Sequence, residues 1–243
     1  MLIKACLNGS REPGDHPALP LLPNELARET QRSVNAGAGA VHIHPRRADG
    51  AMTLAAQECD AAVAAIRKQC PGVPLGVTTA AWIEPDEKQR LRLIQAWMVL
   101  PDFASVNFSE SGTPDLCAAL LTKGIGVEAG LSNAEDAQLL LKMGITDRCL
   151  RILIEPVEEE FEPTLAVVEA IEHVLNEAKV QLPRLLHGSD ATAWPLLGVA
   201  LQRGYDTRIG LEDTLLLPDG RQARDNAELV TLAYQQASEA GRL

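Results

Sequence analysis

The sequence Val41-His42-Ile43-His44-Pro45-Arg46 follows a segment, residues 35–40, that consists almost entirely of alanine and glycine. Small residues followed by a short apolar run are typical of a helix that ends and turns into a strand. Alternate residues of a strand point to the same face, so we expect His42 and His44 to project side by side. Two neutral imidazoles supply half of a divalent metal site, although a bare His-x-His is also compatible with a strand that binds no metal.

The same succession of apolar run, polar loop and amphipathic helix recurs along the whole chain. It predicts strands at Leu2–Leu7, Ala40–His44, Val73–Thr78, Phe103–Asn107, Ile125–Glu128, Leu150–Ile154, Leu185–His187 and Asp206–Ile209. Eight such units, each with a crossover long enough for parallel pairing, predict an α/β fold with one (β/α)8 TIM barrel over residues 1–243. The alternative is an open doubly wound sheet, but Gly9-Ser-Arg-Glu-Pro-Gly14 lacks the glycine spacing of its phosphate-binding turn.

Composition excludes several classes of protein. A chain of 243 residues with 46% hydrophobic residues can bury one large core, and no linker divides it. The net charge of −11 argues against non-specific nucleic-acid binding and against an anionic membrane surface. Without a signal peptide or a long apolar stretch, the protein is expected to be soluble and cytoplasmic. Five scattered cysteines with no CxxC pair predict reduced core thiols.

Polar residues gather where the predicted strands end, which is where TIM barrels place their chemistry. They are His42, His44, Thr78, Thr79, Ser105, Asn107, Glu128, Arg208, Glu212 and Asp213. Singly, such residues often cap helices or face solvent, but together they indicate a site built from several loops. A catalytic zinc often takes two histidines and one carboxylate. Glu212 is the best third ligand, because strand eight closes the barrel beside strand one and near strand two, whereas Glu128 starts from the far side.

Three motifs also resemble those of the β-keto acid cleavage enzymes, the family that includes 3-keto-5-aminohexanoate cleavage enzyme. They are Ala-Gly-Ala-Gly-Ala-Val-His42-Ile-His44-Pro-Arg, Thr207-Arg208-Ile-Gly-Leu-Glu212-Asp213, and Ala223-Arg-Asp-Asn226-Ala-Glu-Leu-Val230. The similarity runs from the first strand to the last helix and is weakest in the middle. It implies a (β/α)8 acyltransferase with zinc, in which a β-keto acid and acetyl-CoA give acetoacetate and a new acyl-CoA by a retro-Claisen type reaction. It also implies a homo-oligomer, a tetramer or a dimer.

The resemblance assigns roles to matching positions. His42, His44 and Glu212 would hold zinc, which would polarise the 3-oxo group of the substrate. Asp213 would act in the proton transfer at C2, with Arg208 as its charged neighbour. Thr78, Ser105 and Asn107 would bind the substrate carboxylate, and Glu128 would be an acidic residue of the pocket.

The chain departs from the better-known members at two places. Arg11 stands where those members carry a glutamate that faces an ammonium group, which favours an anionic or polar substrate tail. After strand six, Ile154-Glu-Pro-Val-Glu-Glu-Glu-Phe161 replaces a longer glycine-rich segment. The negative charge of its three consecutive glutamates is unexpected in a protein that binds the phosphates of CoA. His187 could reach the mouth, but a hydrogen-bonded strand-end residue explains it equally well. His16 and His173 are expected to be exposed.

Two other classes of protein remain compatible with the sequence. One is a metal-dependent carbon-carbon lyase or hydrolase that works on the same barrel without CoA, which the charged segment after strand six favours modestly. The other is a metabolite-binding barrel without turnover. The presence of Asp213 and Arg208 beside the predicted ligands argues against a mere binder, because a binder needs no base beside its metal.

Overall fold

A computed structural model describes all residues, 1–243, and shows a closed barrel of eight parallel strands that neighbour one another in chain order. The strands are β1 (Ile3–Cys6), β2 (Ala40–Ile43), β3 (Leu75–Thr78), β4 (Phe103–Asn107), β5 (Gly126–Leu131), β6 (Arg151–Ile154), β7 (Arg184–Leu186) and β8 (Asp206–Ile209). Strand β8 pairs with β1 and closes the circle. The predicted (β/α)8 barrel is confirmed.

Eight helices cover the outside of the barrel. They are α1 (Pro23–Asn35), α2 (Ala56–Gln69), α3 (Glu87–Gln95), α4 (Thr113–Thr122), α5 (Ala134–Met143), α6 (Phe161–Glu177), α7 (Ala193–Arg203) and α8 (Asn226–Glu239). Local signals set several of their ends: the side chains of Asn133 and Asp225 cap α5 and α8, and Gly144 ends α5 in the left-handed conformation. A cluster of 50 buried apolar residues packs between the barrel and the helices.

Strand β5 is longer than the sequence predicted. It continues to Leu131, three residues past Glu128, because Ala129, Gly130 and Leu131 pair in register with β6. Glu128 therefore lies inside the strand, and the prediction that it ends the strand is wrong. Its side chain is fully buried in the barrel.

The middle of the barrel contains an unusual charged layer. Lys4 of β1 forms a fully buried ion pair with Glu128, and Arg151 of β6 lies 3.3 Å from the other carboxylate oxygen. The ring of Phe103 lies beside both cations, with the Lys4 Nζ 5.5 Å from the ring centre. Gly76 makes room for this ring, since a Cβ there would lie 2.1 Å from a ring carbon. The interior below the strand ends is thus closed by packed, mutually compensating charges.

This layer leads to a stability prediction. Lys4→Met is expected to lower the free energy of unfolding by at most about 3–5 kcal/mol, because it breaks a buried pair and leaves Arg151 as the remaining cation beside Glu128. Adding Glu128→Gln should restore part of that loss. Lys88, which is exposed on α3, provides the control, and Lys88→Met should stay within about 0.5 kcal/mol of the parent. Denaturant unfolding followed by circular dichroism measures all three. Equal stability of the Lys4 and Lys88 variants would contradict the ion-pair role.

Of the predictions for cysteine and histidine residues, some are confirmed and one is wrong. All five cysteines are free and buried, as predicted. His173 is exposed, but His16 is not: it is 3% exposed and its Nε2 lies 2.7 Å from the carbonyl oxygen of Ala223. The prediction for His16 was wrong because its partner lies about two hundred residues away along the chain. No helix combines the length and the apolar character that a membrane crossing would require.

Candidate active site

A cavity of about 820 Å³ opens at the carboxyl ends of the strands. Seven of the residues predicted from the sequence line it: His42, His44, Thr78, Ser105, Asn107, Arg208 and Glu212. Only 3 of its 21 lining residues are hydrophobic, so the cavity is built for a polar ligand. The carboxyl ends of the strands are where TIM barrels place their active sites.

His42, His44 and Glu212 form a compact cluster in the floor of this cavity. One ligand atom from each residue lies within 4.8 Å of the other two. The Nε2 atoms of His42 and His44 lie 4.0 and 3.6 Å from Oε1 of Glu212. Tetrahedral ligands of a zinc ion lie about 3.3 Å apart, so small side-chain adjustments suffice to close the cluster around a metal.

The electrostatics of the cluster suit a divalent cation. Burial lowers the pKa of His42 well below its usual value, so the ring is neutral and keeps a lone pair for coordination. Burial would raise the pKa of Glu212, but Arg208 and the two histidines outweigh it and hold that pKa well below its usual range. The second oxygen of Glu212, Oε2, is buried and has no hydrogen-bond partner. An unpartnered buried carboxylate oxygen beside two neutral imidazoles fits a metal ligand set.

Residues that follow β1 and β8 hold the candidate ligands in place. The Asn8 side chain accepts a hydrogen bond from the His44 amide and donates one to the His44 carbonyl, both at 2.9 Å. Gly9 has φ +49° and passes so close to Glu212 that a Cβ would lie 2.2 Å from its Cγ. Asn226, from the third predicted motif, accepts from the Leu211 amide and so anchors the segment before Glu212. These three residues act through backbone geometry, which explains the place of Asn226 in the third motif.

Arg208 joins the cluster of His42, His44 and Glu212 to Asp213. Its Nη2 lies 2.9 Å from Oε1 of Glu212 and 2.7 Å from Oδ1 of Asp213, and its Nε donates to the same Oδ1 at 3.0 Å. Burial raises the pKa of Asp213 to about 7, although Arg208 opposes the shift. Asp213 is only 1% exposed and does not line the cavity itself. The predicted Arg208–Asp213 pair therefore exists, with Arg208 as its cavity-facing member.

Thr78, Ser105 and Asn107 lie on the β3–β4 side of the cavity. Thr78 and Ser105 pair in register across neighbouring strands, and both residues line the cavity together with Asn107. The Asn107 amide nitrogen donates to Oε1 of Glu110 at 2.8 Å. These residues offer hydroxyl and amide donors without a positive charge, which suits a carboxylate that is bound elsewhere by a cation.

The structure does not bring Glu128 or Arg11 to the cavity. Glu128 lies below it in the ion pair with Lys4, so its prediction as a pocket residue is corrected. Arg11 forms an ion pair with Asp190, and its Nε donates a hydrogen bond to the Leu211 carbonyl at 3.1 Å. Its neighbour Ser10 lines the cavity instead. The guanidinium is already satisfied, so the inference of an anionic tail loses its basis.

The cavity also contains residues that the sequence analysis did not predict as site residues, or whose role it left undecided. Trp82 stacks against the His44 ring, with 6.3 Å between ring centres, and is 56% exposed at the mouth. Glu155, Glu158 and Glu159 form one wall. Burial raises the pKa of Glu155 to about 8. No local motif marks these residues, although the run of glutamates after β6 was visible as a departure. His187 is buried and lines the cavity, so it is more than a strand-end residue.

Comparison with known proteins places this geometry in a family. The family model for the beta-keto acid cleavage enzyme matches residues 1–243. The 3-keto-5-aminohexanoate cleavage enzyme of Fusobacterium nucleatum is 23% identical over 268 residues, covering 100% of this chain and 93% of that protein. The 3-oxoadipate:acetyl-CoA acetyltransferase of Cupriavidus necator is 26% identical over 244 residues, covering 94% of this chain and 84% of that protein.

A solved structure agrees at the level of the fold. The binary complex of ObcA with oxaloacetate superposes with a TM-score of 0.76 at 20% identity, over 93% of this chain. This chain spans 64% of the ObcA chain, so it is considerably shorter. With a family model matched from the first residue to the last, this chain belongs to the β-keto acid cleavage enzyme family.

Proposed function

We propose that this protein is a zinc-dependent acyltransferase that converts a β-keto acid and acetyl-CoA into acetoacetate and a new acyl-CoA. The observation that carries the proposal is the arrangement of His42, His44 and Glu212 in one cavity with Arg208, which links them to Asp213. Family membership supports the reaction class, and the name of the Cupriavidus necator relative includes acetyl-CoA.

Different residues of the cavity would bind the metal, bind the substrate and transfer the proton. Zinc on His42, His44 and Glu212 would supply a Lewis acid for the 3-oxo group and so make the C2 protons more acidic. Arg208 points a guanidinium into the cavity and is the cation that a substrate carboxylate would meet there. Thr78, Ser105 and Asn107 would orient that carboxylate from the opposite wall. Asp213 takes part in the proton transfer at C2, held by Arg208 at a fixed distance from Glu212.

The charge of the cavity wall influences which charge the substrate's tail can carry. Glu158 and Glu159 add two carboxylates to the wall formed by the loop after β6, and no cation is paired with either. Arg11, the residue that favoured an anionic tail, is bonded to Asp190 and lies off the cavity. Like charges in a partly enclosed site repel. We therefore expect neutral or cationic tails to be preferred over anionic ones.

A second function has one specific observation in its favour. The same glutamates line the cavity to which acetyl-CoA would have to bring its acetyl group, and their charge disfavours a polyanionic co-substrate. A metal-dependent carbon-carbon lyase or hydrolase that needs no CoA would avoid this conflict. It would use the same metal ligands and the same Asp213. The two functions differ in one requirement, since only the first consumes acetyl-CoA.

The deciding experiment measures turnover of three β-keto acids of similar length, with neutral, anionic and cationic tails. Zinc-loaded protein is assayed with and without acetyl-CoA, and acetoacetate and the new acyl-CoA are quantified by mass spectrometry. We expect acetoacetate only when acetyl-CoA is present, and at least about tenfold higher kcat/KM for the neutral or cationic tail, equivalent to about 1.4 kcal/mol.

Each result separates the alternatives. Cleavage without acetyl-CoA would replace the acyltransferase by the lyase. No cleavage of any tail under either condition would refute both. Preference for the anionic tail would refute the argument from Glu158 and Glu159 while leaving the reaction intact. Where the neutral or cationic tail is preferred, the double variant Glu158→Gln/Glu159→Gln should erase that preference, because it removes the two charges at constant shape.

A further inference from the structure

Two residues that the proposed function does not use hold the backbone on either side of the candidate ligand Glu212. Arg11, in the loop that follows β1, donates from Nε to the carbonyl oxygen of Leu211 at 3.1 Å. Asp190, in the loop between β7 and α7, donates its amide to the carbonyl oxygen of Asp213 at 2.6 Å. An ion pair joins the side chains of Arg11 and Asp190. The two residues therefore form a bridge between the carbonyl groups that flank Glu212.

A buried side chain sets the position of Arg11. Arg46 is 4% exposed, and its Nη2 donates to the carbonyl oxygen of Arg11 at 2.6 Å. This bond fixes the backbone from which the Arg11 side chain reaches Leu211. On its other side, Leu211 donates its amide to the Asn226 side chain at 2.8 Å. Both polar groups of the Leu211 backbone are thus bound, which restricts the direction in which the chain enters Glu212.

Asp190 adopts a backbone conformation that few residues take. Its φ is +46°, in the left-handed region, and Lys179 is the only other residue besides glycines with a positive φ. Aspartate and asparagine tolerate this region better than most L-residues, but the conformation still costs free energy. Such residues cluster where a site needs their geometry. Here the left-handed turn directs the amide to Asp213 while the carboxylate meets Arg11.

We propose that Arg11 and Asp190 are positioning residues that clamp the segment around Glu212 and thereby set the affinity of the protein for its metal. The inference rests on the proposed function, because it takes His42, His44 and Glu212 as the metal ligands. Loss of an outer partner of a metal ligand typically weakens metal binding by about 10- to 100-fold. Because the Asp190 side chain is 65% exposed, water weakens the pair, and we expect the lower end of that range.

Electrostatics alone predicts the opposite effect for Arg11. Removing a cation near a Zn²⁺ site reduces repulsion and should tighten metal binding. Loss of the clamp should weaken it instead, because Glu212 can then leave the geometry in which it faces the two histidines. Arg11→Met removes the charge and both side-chain contacts at similar length. Arg11→Lys keeps the charge but lacks the planar fork that binds a carbonyl and a carboxylate together. The clamp predicts weaker binding in both variants.

The test measures the affinity of metal-free protein for Co²⁺, through its visible absorption, and for Zn²⁺ by competition with the bound cobalt. Arg11→Met and Arg11→Lys should each bind Zn²⁺ about tenfold more weakly than the parent. Asp190→Asn tolerates the left-handed backbone and keeps the amide bond to Asp213, so it should lose only about threefold. The double variant Arg11→Met/Asp190→Asn should bind no more weakly than Arg11→Met, because the pair is already broken.

A surface ion pair provides the matched control. Nε of Arg221 donates to the Asp219 carboxylate at 2.8 Å, and both side chains are more than half exposed. Arg221→Met therefore removes a paired arginine in the same way and should leave the metal affinity unchanged. Circular dichroism spectra of the metal-free variants should match the spectrum of the parent. Arg11→Lys, the conservative variant, keeps the test decisive if Arg11→Met does not fold.

Each outcome bears on one of the two proposals or on both. Unchanged or tighter Zn²⁺ binding in Arg11→Lys would overturn the clamp, and so would additive losses in the double variant. A parent protein that binds neither metal would overturn the clamp together with the zinc dependence of the proposed function. Weaker binding in both Arg11 variants, without acetoacetate from any β-keto acid, would refute the acyltransferase and leave the clamp standing.

Discussion

Replacing His44 with alanine is expected to abolish stoichiometric zinc binding and acetoacetate formation while the barrel stays folded. In the proposed zinc site His44 supplies one of three protein ligands, and loss of a direct ligand should cost more than the roughly 100-fold in affinity that loss of an outer partner costs. The side chain faces the cavity and lies outside the cluster of 50 apolar core residues. Its removal therefore leaves the core intact.

Metal analysis of the purified variant, acetoacetate assays and circular dichroism measure these three properties on one sample. His173→Ala is the control, because His173 is exposed on α6 and should leave all three unchanged. Retention of one zinc per chain in His44→Ala would remove His44 from the ligand set. Global unfolding would instead show that the side chain supports the barrel.

Asp213→Asn is expected to keep zinc but to lower kcat by at least about 100-fold. The amide has the same shape as the carboxylate but lacks its charge, so it can neither take up a proton nor neutralise Arg208 as the carboxylate does. Because Asp213 lies off the cavity, the effect should appear in kcat more than in KM. Steady-state kinetics with zinc-loaded protein separate the two parameters.

A surface aspartate from the same loop provides the matched comparison. Asp219 is half exposed and pairs with Arg221 on the surface, so Asp219→Asn should behave as the parent. If Asp213→Asn turns over within a few fold of the parent, Asp213 has no part in the proton transfer. If instead it loses zinc, Asp213 acts by supporting Glu212, its neighbour in the chain.

The site could be predicted from the sequence where its residues follow strand ends. His42, His44, Glu212 and Arg208 converge because parallel strands in a closed barrel all end at the same rim. Glu128 was misplaced by three residues of strand, which was enough to move it from the rim into the interior. Arg11 was misjudged for a different reason. Its partner, Asp190, comes from a loop about one hundred and eighty residues away, and no local pattern records that pairing.

By itself, the sequence determined the eightfold alternation of strand and helix, the histidine pair on one strand face, and the late Arg208–Glu212–Asp213 segment, because periodicity and spacing are local properties of the chain. Only the tertiary structure decided which charges are already compensated. It paired Glu128 with Lys4, bonded Asp213 to Arg208, and left Oε2 of Glu212 without a partner. Burial and hydrogen-bond satisfaction depend on contacts between distant loops, and those contacts exist only once the barrel has closed.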